Sequence, residues 1–213
     1  MVAVGGHNNV EAFLEGGRLL ARRIESLLNR HGMHLEKCTA VLDFGCGSGR
    51  IIRQWKFDGK PALFGCDYNA EAVAWCAANL THARFSVNGA MPPLPYEAAT
   101  FDLAYAFSVF THFTEPMQCA WMQEMAPVVR PGGHLIISVH GPSWSRVLTA
   151  AESEAFASGQ LVVRYASVAG SNLCAAFHPE PFIHRMSRPH FELLESQSQH
   201  GDQDLLLMHR RTG

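Results

Sequence analysis

Residues 39–53, with the sequence TAVLDFGCGSGRIIR, combine three features that follow one another directly. A short apolar run ends at Asp43, glycines stand at positions 45, 47 and 49, and apolar residues at helical spacing begin immediately afterwards. This order predicts a strand, a glycine-rich loop and a helix near 49–56, an arrangement that holds nucleotide-like ligands. Glycine permits a positive φ and lets a ligand lie on the backbone, where a Cβ atom would collide with it.

The spacing within this loop distinguishes between nucleotide ligands. The third glycine comes one residue earlier than in the Gly-x-Gly-x-x-Gly pattern of dinucleotide-binding folds. Asp43, two residues before the first glycine, would repel a pyrophosphate but attract an ammonium group. Both features favour an amino acid joined to a nucleoside, which is the chemical description of S-adenosylmethionine.

Several segments resemble motifs of the class I S-adenosylmethionine-dependent methyltransferases. The sequence VLDFGCGSGR at 41–50 is similar to the first motif of this family almost residue for residue. The sequence LFGCDYN at 63–69 resembles the family's second strand with an acid at its tip. Residues 101–113 and 129–138 resemble the fourth strand and the turn that leads into the fifth. The resemblance covers about residues 39–140, and by it the chain is identified as a suspected member of this family.

The resemblance also implies cofactor-binding residues at the carboxyl ends of the strands, where such sheets bind their ligands. Asp67 would accept hydrogen bonds from both ribose hydroxyls, although Asp67 or Asn69 could instead simply cap the next helix. Ala90 stands where many relatives carry an acid that contacts the adenine amino group, so we expect Asn88 or a backbone group to make this contact. The complete predicted set is Asp43, Gly45, Cys46, Gly47, Gly49, Asp67, Tyr68, Asn88, Gly89, Ala90, Phe107 and Ser108.

Alternating strands and helices predict the fold class. A helix is predicted over 10–31, followed by strands near 39–45, 61–66, 83–87, 101–107 and 133–139 that alternate with helices near 49–56, 70–80 and 115–126. This order predicts an α/β fold with a doubly wound, mostly parallel sheet and helices on both faces. The resemblance implies a seven-stranded, Rossmann-like sheet with an antiparallel last strand, in which 191–196 and 204–209 are strands six and seven.

A length of 213 residues predicts a single domain, which by the resemblance is a methyltransferase domain. We expect an N-terminal helical segment over 1–38, a cofactor-binding core over 39–140, an acceptor lid over 141–190 and closing strands over 191–213. The lid is expected because this insertion after strand five is longer than a helical crossover and lies at the ligand edge of the sheet. Within it, a helix over 148–158 is expected to continue the core and 161–167 to add a strand.

Two histidines are candidate catalytic residues. Methyl transfer depends mainly on alignment of the acceptor with the sulfonium methyl group, and a general base helps when the acceptor is a hydroxyl or an ammonium group. His112 follows the fourth strand, and its neutral imidazole is available near pH 7. It could also cap a helix or shape the pocket wall, and many relatives work without a dedicated base. His140, at the end of strand five, is the second candidate.

The composition restricts the class of partner. The formal net charge is −2, the pI is about 6.6 and no basic stripe is present, so neither a nucleic acid nor a membrane is expected as a partner. Six cysteines without a Cys-x-x-Cys pair predict buried thiols, and no signal peptide is evident, so we expect a cytoplasmic protein. No metal is expected, because the spacing of Cys174, His178 and His184 matches no common zinc pattern.

The sequence therefore predicts an S-adenosylmethionine-dependent methyltransferase that acts on a small-molecule acceptor, such as a sugar or another metabolite, by direct in-line displacement. Two alternatives remain open. A nicotinamide-dependent oxidoreductase would also use Asp67 on a ribose, although the early third glycine and Asp43 argue against it. A catalytically silent S-adenosylmethionine-binding protein would bind the cofactor without turnover. The sequence does not specify the acceptor, the methylated atom or the oligomeric state.

Overall fold

The computed structural model describes residues 9–198 and 202–212. Within these ranges the α-helices are α1 (Val10–Arg30), α2 (Ala70–Asn79), α3 (Glu115–Val128), α4 (Ala150–Ala157) and α5 (Glu180–Ser187). The strands are β1 (Ala40–Phe44), β2 (Ala62–Asp67), β3 (Ala83–Val87), β4 (Phe101–Ala106), β5 (Val129–Val139), β6 (Val162–Arg164), β7 (Ala175–Phe177), β8 (Phe191–Gln197) and β9 (Asp204–Arg210). The predicted segments 1–38 and 191–213 also include residues 1–8, 199–201 and 213, which lie outside the described residues.

Seven strands form the central sheet in the order β3-β2-β1-β4-β5-β9-β8. The first five run parallel, and β9 is antiparallel to both of its neighbours, β5 and β8. The order reverses between β1 and β4, so the carboxyl ends of these two strands flank the crevice in which such sheets bind ligands. The predicted doubly wound, mostly parallel seven-stranded sheet is confirmed.

Helices cover both faces of this sheet because successive strand residues point to opposite faces. Leu42, Ala104 and Ile137 pack on one side with α3 and α5, in a core that includes Trp121 and Phe182. The neighbouring strand positions, among them Val41 and Leu103, pack on the other side with α1 and α2. Nearly every strand residue of β1, β4 and the C-terminal half of β5 is buried, as expected of a sheet that is covered on both faces.

The N-terminal helix forms as predicted and approaches the glycine loop closely. The Asn9 side chain caps α1 by accepting from the Glu11 N–H at 2.8 Å, and Gly32, with a φ of +71°, follows its C-terminus. The helix continues without a break through Gly17. Glycine is required at this position because a side chain has no room there. A Cβ atom at Gly17 would lie 2.2 Å from the Arg50 carbonyl oxygen.

The predicted helix near 49–56 is wrong, because only turns and a single 3-10 turn at Ile52–Gln54 follow the glycine loop. The Arg53 N–H still makes a helical bond to the Gly49 carbonyl oxygen at 3.3 Å, but the amides of Gln54 and Trp55 bond only three residues back, at 2.9 and 3.3 Å, so the α-helical pattern ends there. The Arg53 guanidinium also donates to the carbonyl oxygens of Ser48 at 2.6 Å and Gly49 at 2.9 Å. Trp55 then adopts an extended conformation, and its indole N–H donates to Glu25 of α1 at 2.6 Å. These contacts fold the segment back onto α1 after one turn.

The segment between β5 and β8 differs from its prediction in two respects. Helix α4 forms, but none of its residues is buried, so it does not continue the core. The expected additional strand is β6, which pairs with β7 in a separate two-stranded sheet instead of joining the central one. The Arg164 side chain donates to both Glu152 carboxylate oxygens, at 2.8 and 2.6 Å, and fastens β6 to α4.

All six cysteines are free thiols, of which Cys46, Cys66, Cys76 and Cys174 are buried as predicted, whereas Cys119 is exposed. In the described part of the chain, no helix is both long and apolar enough to cross a membrane.

Candidate active site

A cavity of about 530 Å³ opens at the carboxyl ends of the parallel strands. It contains most of the residues that the sequence predicted for the cofactor and one of the two candidate bases. The predicted residues that line it are Asp43, Gly45, Cys46, Gly47, Asp67, Tyr68, Asn88, Gly89, Ala90, Phe107, Ser108 and His112. Gly49 and His140 lie outside this lining.

The glycine loop is tied to the tip of the neighbouring strand. The amides of Gly45 and Cys46 both donate to the Cys66 carbonyl oxygen, at 2.8 and 3.0 Å, and the Gly47 N–H donates to Asp67 Oδ2 at 2.8 Å. The three loop glycines all have positive φ, between +51° and +74°. A Cβ atom at Gly49 would lie 2.5 Å from Leu80 Cδ1, so this glycine permits packing against the end of α2.

Asp67 is buried at the tip of β2 and keeps acceptor capacity for a ligand. Its Oδ1 atom accepts from the Asn69 N–H at 2.8 Å and its Oδ2 atom from the Gly47 N–H. Each carboxylate oxygen has a further lone pair, so two more donors can be accommodated. Asn69 caps α2 by accepting from the amides of Glu71 and Ala72, both at 3.1 Å. The capping role therefore belongs to Asn69.

The end of the cavity near β3 combines a polar atom with an aromatic wall. Asn88 Oδ1 is buried and has no hydrogen-bond partner among the described residues, while its Nδ2 donates to the Gly89 carbonyl oxygen at 2.7 Å. Trp121 of α3 donates through its indole N–H to the Ala90 carbonyl oxygen at 3.3 Å and packs on Phe44 with ring centroids 4.6 Å apart. A buried acceptor beside aromatic rings suits a flat heterocycle that carries an amino group.

Asp43 places a buried carboxyl group next to the glycine loop. Burial raises its pKa to about 7, whereas the Tyr105 hydroxyl and the Arg50 guanidinium act in the opposite direction. A cation that entered the cavity beside Asp43 would favour its charged form. Asp43 can therefore carry a negative charge that becomes favourable when an ammonium group binds, as the sequence predicts.

His112 is oriented by the segment that precedes β7. Its Nδ1 atom lies 2.6 Å from the Cys174 carbonyl oxygen, and a carbonyl can only accept, so Nδ1 carries the proton. In the neutral ring, Nε2 therefore has a free lone pair. The His112 carbonyl oxygen accepts from the Gly170 N–H at 2.8 Å, which holds segment 169–172 against the cavity.

His140 lies apart from the other predicted residues. Its Nδ1 donates to the Ala176 carbonyl oxygen at 3.1 Å, and its ring packs on Trp144 with centroids 4.4 Å apart. Burial lowers its pKa to about 4, so the ring is neutral near pH 7. This position joins the end of β5 to the small sheet.

The comparison with protein-family models gives a match to a methyltransferase domain over residues 41–133. These residues run from β1 to the start of β5 and include the glycine loop, Asp67 and His112. Residues 41–133 of this chain are thus similar to a methyltransferase domain. The recognition that the sequence suggested is confirmed, and the family uses S-adenosylmethionine.

Relatives of this methyltransferase core act on chemically different acceptors. The tRNA (carboxymethyluridine(34)-5-O)-methyltransferase alkbh8 of Xenopus tropicalis is 32% identical over 106 residues, which are 49% of this chain and 16% of that protein. The fatty-acid O-methyltransferase of Mycolicibacterium smegmatis is 28% identical over 138 residues, 57% of this chain and 49% of that protein. The chain thus spans less than half the length of these relatives.

A solved structure shares the fold of the methyltransferase core and of most of the surrounding chain. It is the Burkholderia thailandensis 1,6-didemethyltoxoflavin-N1-methyltransferase, with bound 1,6-didemethyltoxoflavin and S-adenosylhomocysteine. The two structures superimpose with a TM-score of 0.62 at 19% identity, over 95% of this chain and 85% of that one.

Several lining residues of the methyltransferase core were not predicted from the sequence. Arg50 directly follows the third glycine and lines the cavity. Its position next to the glycine loop could have been used to predict it as a site residue. Trp121 lies within an apolar helical pattern that also fits an ordinary core residue. Asp202 and Gln203 precede β9 and carry no local motif, and only the antiparallel pairing of β9 with β5 brings them to the cavity.

Gln203 connects the ends of two central strands at this cavity. Its Nε2 donates to Ser108 Oγ at 3.0 Å, and its Oε1 accepts from Ser138 Oγ at 2.6 Å. Ser138 Oγ in turn accepts from the Ser108 N–H at 2.6 Å. Ser108 has a φ of +60°, a conformation that needs support from its surroundings in a residue other than glycine.

Proposed function

We propose that this chain is a methyltransferase that transfers the methyl group of S-adenosylmethionine to a hydroxyl or amine of a small molecule, such as a sugar or another metabolite. The observation that carries the proposal is the placement, in one cavity, of the glycine loop, the Asp67 carboxylate and the free Nε2 of His112. The first two suit the nucleoside of the cofactor, and the third suits an acceptor that must lose a proton.

The residues present fit S-adenosylmethionine along its whole length. Asp67 would accept hydrogen bonds from the ribose hydroxyls, and the unpartnered Asn88 Oδ1 would accept one from the adenine amino group. Asp43 would pair with the ammonium group of the methionine part. When bound, the cofactor supplies an electrophilic methyl carbon on a sulfonium sulfur. The cavity then has to hold the acceptor atom in line with that carbon, which is an effect of positioning.

His112 would act as the general base of this reaction. Because Nδ1 donates to the Cys174 carbonyl, Nε2 is the nitrogen that would accept a proton from the acceptor oxygen or nitrogen. Such a base is superfluous for a carboxylate acceptor, which is already a nucleophile at neutral pH. Its presence therefore favours a hydroxyl or amine acceptor over the carboxyl group of a fatty acid.

The charges around the cavity favour a small molecule over a nucleic acid. Among the described lining residues, Arg50 is the only arginine or lysine, and it stands against Asp43, Asp67 and Asp202. The whole chain has a formal net charge of −2. A polyanionic acceptor binds through clusters of arginine and lysine that neutralise its phosphates. The six free thiols agree with a reaction in the cytoplasm.

Calorimetric titration with S-adenosylmethionine, S-adenosylhomocysteine and NADH tests the cofactor. We expect the two sulfur nucleosides to bind in the micromolar range and NADH not to bind. Selective binding of NADH would instead favour the oxidoreductase, and binding of none of the three would contradict the proposal.

An acceptor screen with methyl-labelled cofactor then tests the chemistry. The panel combines hydroxylated and amine-containing metabolites with fatty acids and total tRNA as separate arms. Label transfer to a hydroxyl or amine is expected. Transfer to tRNA alone would contradict the proposed acceptor class, and binding of the cofactor without transfer in any arm would favour the catalytically silent protein.

A further inference from the structure

A buried glutamine of α3 holds the turn that carries His112. The Gln118 side chain is fully buried, and its Nε2 atom donates to the carbonyl oxygens of Phe110 at 3.3 Å and Phe113 at 3.1 Å. Phe110 begins the 3-10 turn that ends at His112, and Phe113 follows this turn directly. The two hydrogen bonds therefore fix the backbone on both sides of the candidate base.

Gln118 is in turn bonded to a buried histidine. Because both carbonyls can only accept, the amide nitrogen of Gln118 faces them, and its Oε1 atom faces His178 Nε2, 3.1 Å away. Oε1 can also only accept, so His178 Nε2 carries a proton and Nδ1 is the unprotonated nitrogen. Nδ1 finds no donor among the described residues. Burial lowers the pKa of the His178 ring to about 3, so the ring is neutral near pH 7.

His178 lies next to the segment that orients the His112 ring. It follows β7 directly, and its backbone N–H donates to the His140 carbonyl oxygen at 2.7 Å. Cys174, whose carbonyl oxygen lies 2.6 Å from His112 Nδ1, directly precedes the same strand. The bond between Gln118 and His178 thus connects the turn that carries His112 with the strand next to its hydrogen-bond partner. Neither Gln118 nor His178 is among the residues that line the cavity.

We propose that Gln118 and His178 are positioning residues of methyl transfer, which hold the turn of His112 and the Cys174 carbonyl at a fixed separation, so that the His112 ring keeps one orientation with its lone pair on Nε2. This inference rests on the proposed function, in which His112 is the general base. Stability alone does not require a polar pair here, next to the Phe182 ring, because withdrawing an amide and an imidazole from water costs free energy. Hydrogen bonds do fix direction, and a base must lie within hydrogen-bond reach of the proton that it accepts.

The pair serves His112 and not the neighbouring His140. Both hydrogen bonds from Gln118 Nε2 go to residues of the His112 turn or directly after it. The contact with His140 comes from the backbone of His178, so any residue other than proline at position 178 could make it. His140 also lies outside the cavity lining, where it cannot act on an acceptor.

The first test measures which nitrogen of His112 carries the proton, and it needs no acceptor. Long-range proton–nitrogen NMR of the full chain with isotope-labelled histidine distinguishes the two ring nitrogens, and the His112 signal is the one that His112→Gln lacks. We expect the proton on Nδ1 in the unaltered protein. In Gln118→Met and in His178→Phe, the ratio of the Nδ1–H to the Nε2–H form should fall about 5-fold, comparable with the loss of one neutral hydrogen bond. His178→Gln can still donate to Gln118 Oε1, so its ratio should lie closer to that of the unaltered protein.

The second test asks whether the effect on rate depends on His112. With the acceptor found in the screen, Gln118→Met should lower kcat about 10-fold, while the affinity for S-adenosylhomocysteine changes less than about 2-fold. In a His112→Gln background the same substitution should lower kcat no further, because the residue that Gln118 positions is already absent. A merely structural role of Gln118 would lower kcat by the same factor in both backgrounds.

Glu124→Met is the matched control, because it removes a different hydrogen bond between the same helix and a backbone group. The Leu94 N–H donates this bond to Glu124 at 2.7 Å, and neither residue lines the cavity. The control should leave both the His112 proton ratio and kcat unchanged. Circular dichroism confirms the folding of each variant. If Gln118→Met does not fold, His178→Phe decides the question, because it leaves both carbonyl bonds of Gln118 in place.

An unchanged proton ratio in Gln118→Met and His178→Phe would overturn the proposal, and so would an equal loss of kcat in both backgrounds. A wild-type kcat in His112→Gln would overturn it as well, but through the loss of the base in the proposed function. If the unaltered protein bound neither S-adenosylmethionine nor S-adenosylhomocysteine, the proposed function itself would fall. The failures of the two proposals are therefore distinguishable.

Discussion

At the scale of single residues, Asp67 combines a structural and a ligand-binding capacity. One of its oxygens holds the glycine loop through the Gly47 N–H, and the other holds the start of α2 through the Asn69 N–H. Both bonds keep the carboxylate in one orientation, with its remaining lone pairs available to the cavity.

Asp67→Asn should weaken binding of S-adenosylhomocysteine about 10- to 100-fold, because an amide oxygen is a poorer acceptor for hydroxyls than a carboxylate. Isothermal titration calorimetry measures the effect. The matched control is Thr149→Ala, which removes the cap of α4 outside the cavity lining and should cost about 1 kcal/mol of unfolding free energy with little effect on affinity. An unchanged affinity in Asp67→Asn would contradict the assignment of Asp67 to the ribose.

His112→Gln should lower kcat about 10²- to 10³-fold, since glutamine cannot accept a proton at neutral pH. The affinity for S-adenosylhomocysteine should stay the same, because His112 is assigned to the acceptor and not to the cofactor. Initial-rate kinetics with the acceptor found in the screen provide kcat. His184→Gln, at an exposed position of α5, is the control and should leave kcat unchanged. A wild-type kcat in His112→Gln would contradict the assignment of His112 as the general base and would leave it as a residue that only lines the cavity.

Site residues could be predicted where neighbouring positions along the chain carry the information. Asp43, Gly45 and Gly47 adjoin one strand end, so a short motif contains all of them. Gln203 could not be predicted, because it meets Ser108, 95 residues away in the sequence, only after β9 has paired with β5. His140 was predicted from its place at a strand end, but its side chain turns to the Ala176 carbonyl of β7, which no local pattern indicates.

At the scale of elements, α1 and the segment after the glycine loop approach each other so closely that only a glycine fits between them. Gly17 lies where the Arg50 carbonyl oxygen comes nearest to the helix, and the neighbouring Gly16 has no atom within 4 Å of its potential Cβ position. The two glycines are adjacent in one helix and share its backbone conformation, yet only one of them faces the loop. They form a natural pair for comparison.

Gly17→Ala should therefore destabilise the protein, although alanine favours a helix more than glycine does. The new Cβ atom would lie 2.2 Å from a backbone oxygen, so α1 or the loop has to move. Gly16→Ala should stabilise the protein by up to about 1 kcal/mol, because it gains helix propensity without a clash. Urea unfolding measures both changes, and equal effects of the two substitutions would contradict the described contact.

Periodic patterns predicted most elements of the sheet layer, and two predictions for helices were wrong for different physical reasons. Near 49–56 the apolar spacing suits a helix, but the hydrogen bonds become those of a 3-10 turn at Gln54, and Trp55 turns to bond Glu25 of α1. Over 148–158 a helix does form as α4, yet its residues remain unburied because the insertion builds its own small sheet. A pattern in the sequence indicates the local conformation but not which surface the element will contact.

At the scale of the whole molecule, Asp43 opposes folding at neutral pH. Its pKa is raised from 3.8 to about 7, mainly by burial, so the folded chain keeps this proton up to a higher pH than the unfolded chain does. The stability that the protonated group contributes is fully present below about pH 4 and is lost as the pH rises through about 7. The negative charge of Asp43, which suits the ammonium group of the proposed cofactor, thus lowers the stability of the folded protein when no cofactor is bound.

Asp43→Asn should therefore unfold at a higher temperature than the unaltered protein at pH 8, by an amount that corresponds to about 1–3 kcal/mol, with the difference vanishing towards pH 4. Differential scanning calorimetry across this pH range measures the difference between the two chains, in which the other titrating groups cancel. The same variant should lose measurable affinity for S-adenosylmethionine. A difference in melting temperature that is independent of pH would contradict a raised Asp43 pKa in the folded chain.

The seven-stranded, mostly parallel sheet was predicted from a resemblance over 39–140 together with two strands near the C-terminus. These strands, β8 and β9, are recognisable because their apolar residues are bounded by polar turns. The path of 141–190 was not predictable to the same extent, because contacts between residues that are distant in the sequence hold its small sheet. Among them are the bridge between His140 and Phe177 and the ion pair of Glu152 with Arg164.

The two contacts of His112 with the lid have a consequence for the timing of the reaction. The Cys174 carbonyl selects one tautomer of the ring, and the Gly170 amide anchors the same residue from its backbone side. Were segment 170–174 to move away from the sheet, both restraints would be lost together, and the imidazole could exchange its proton between its two nitrogens. An open molecule would then present N–H to the acceptor in a share of its population, and only the closed one would present the lone pair. If His112 is the proposed base, proton acceptance would then depend on these two contacts, and an acceptor that displaced them would react slowly even where it bound well.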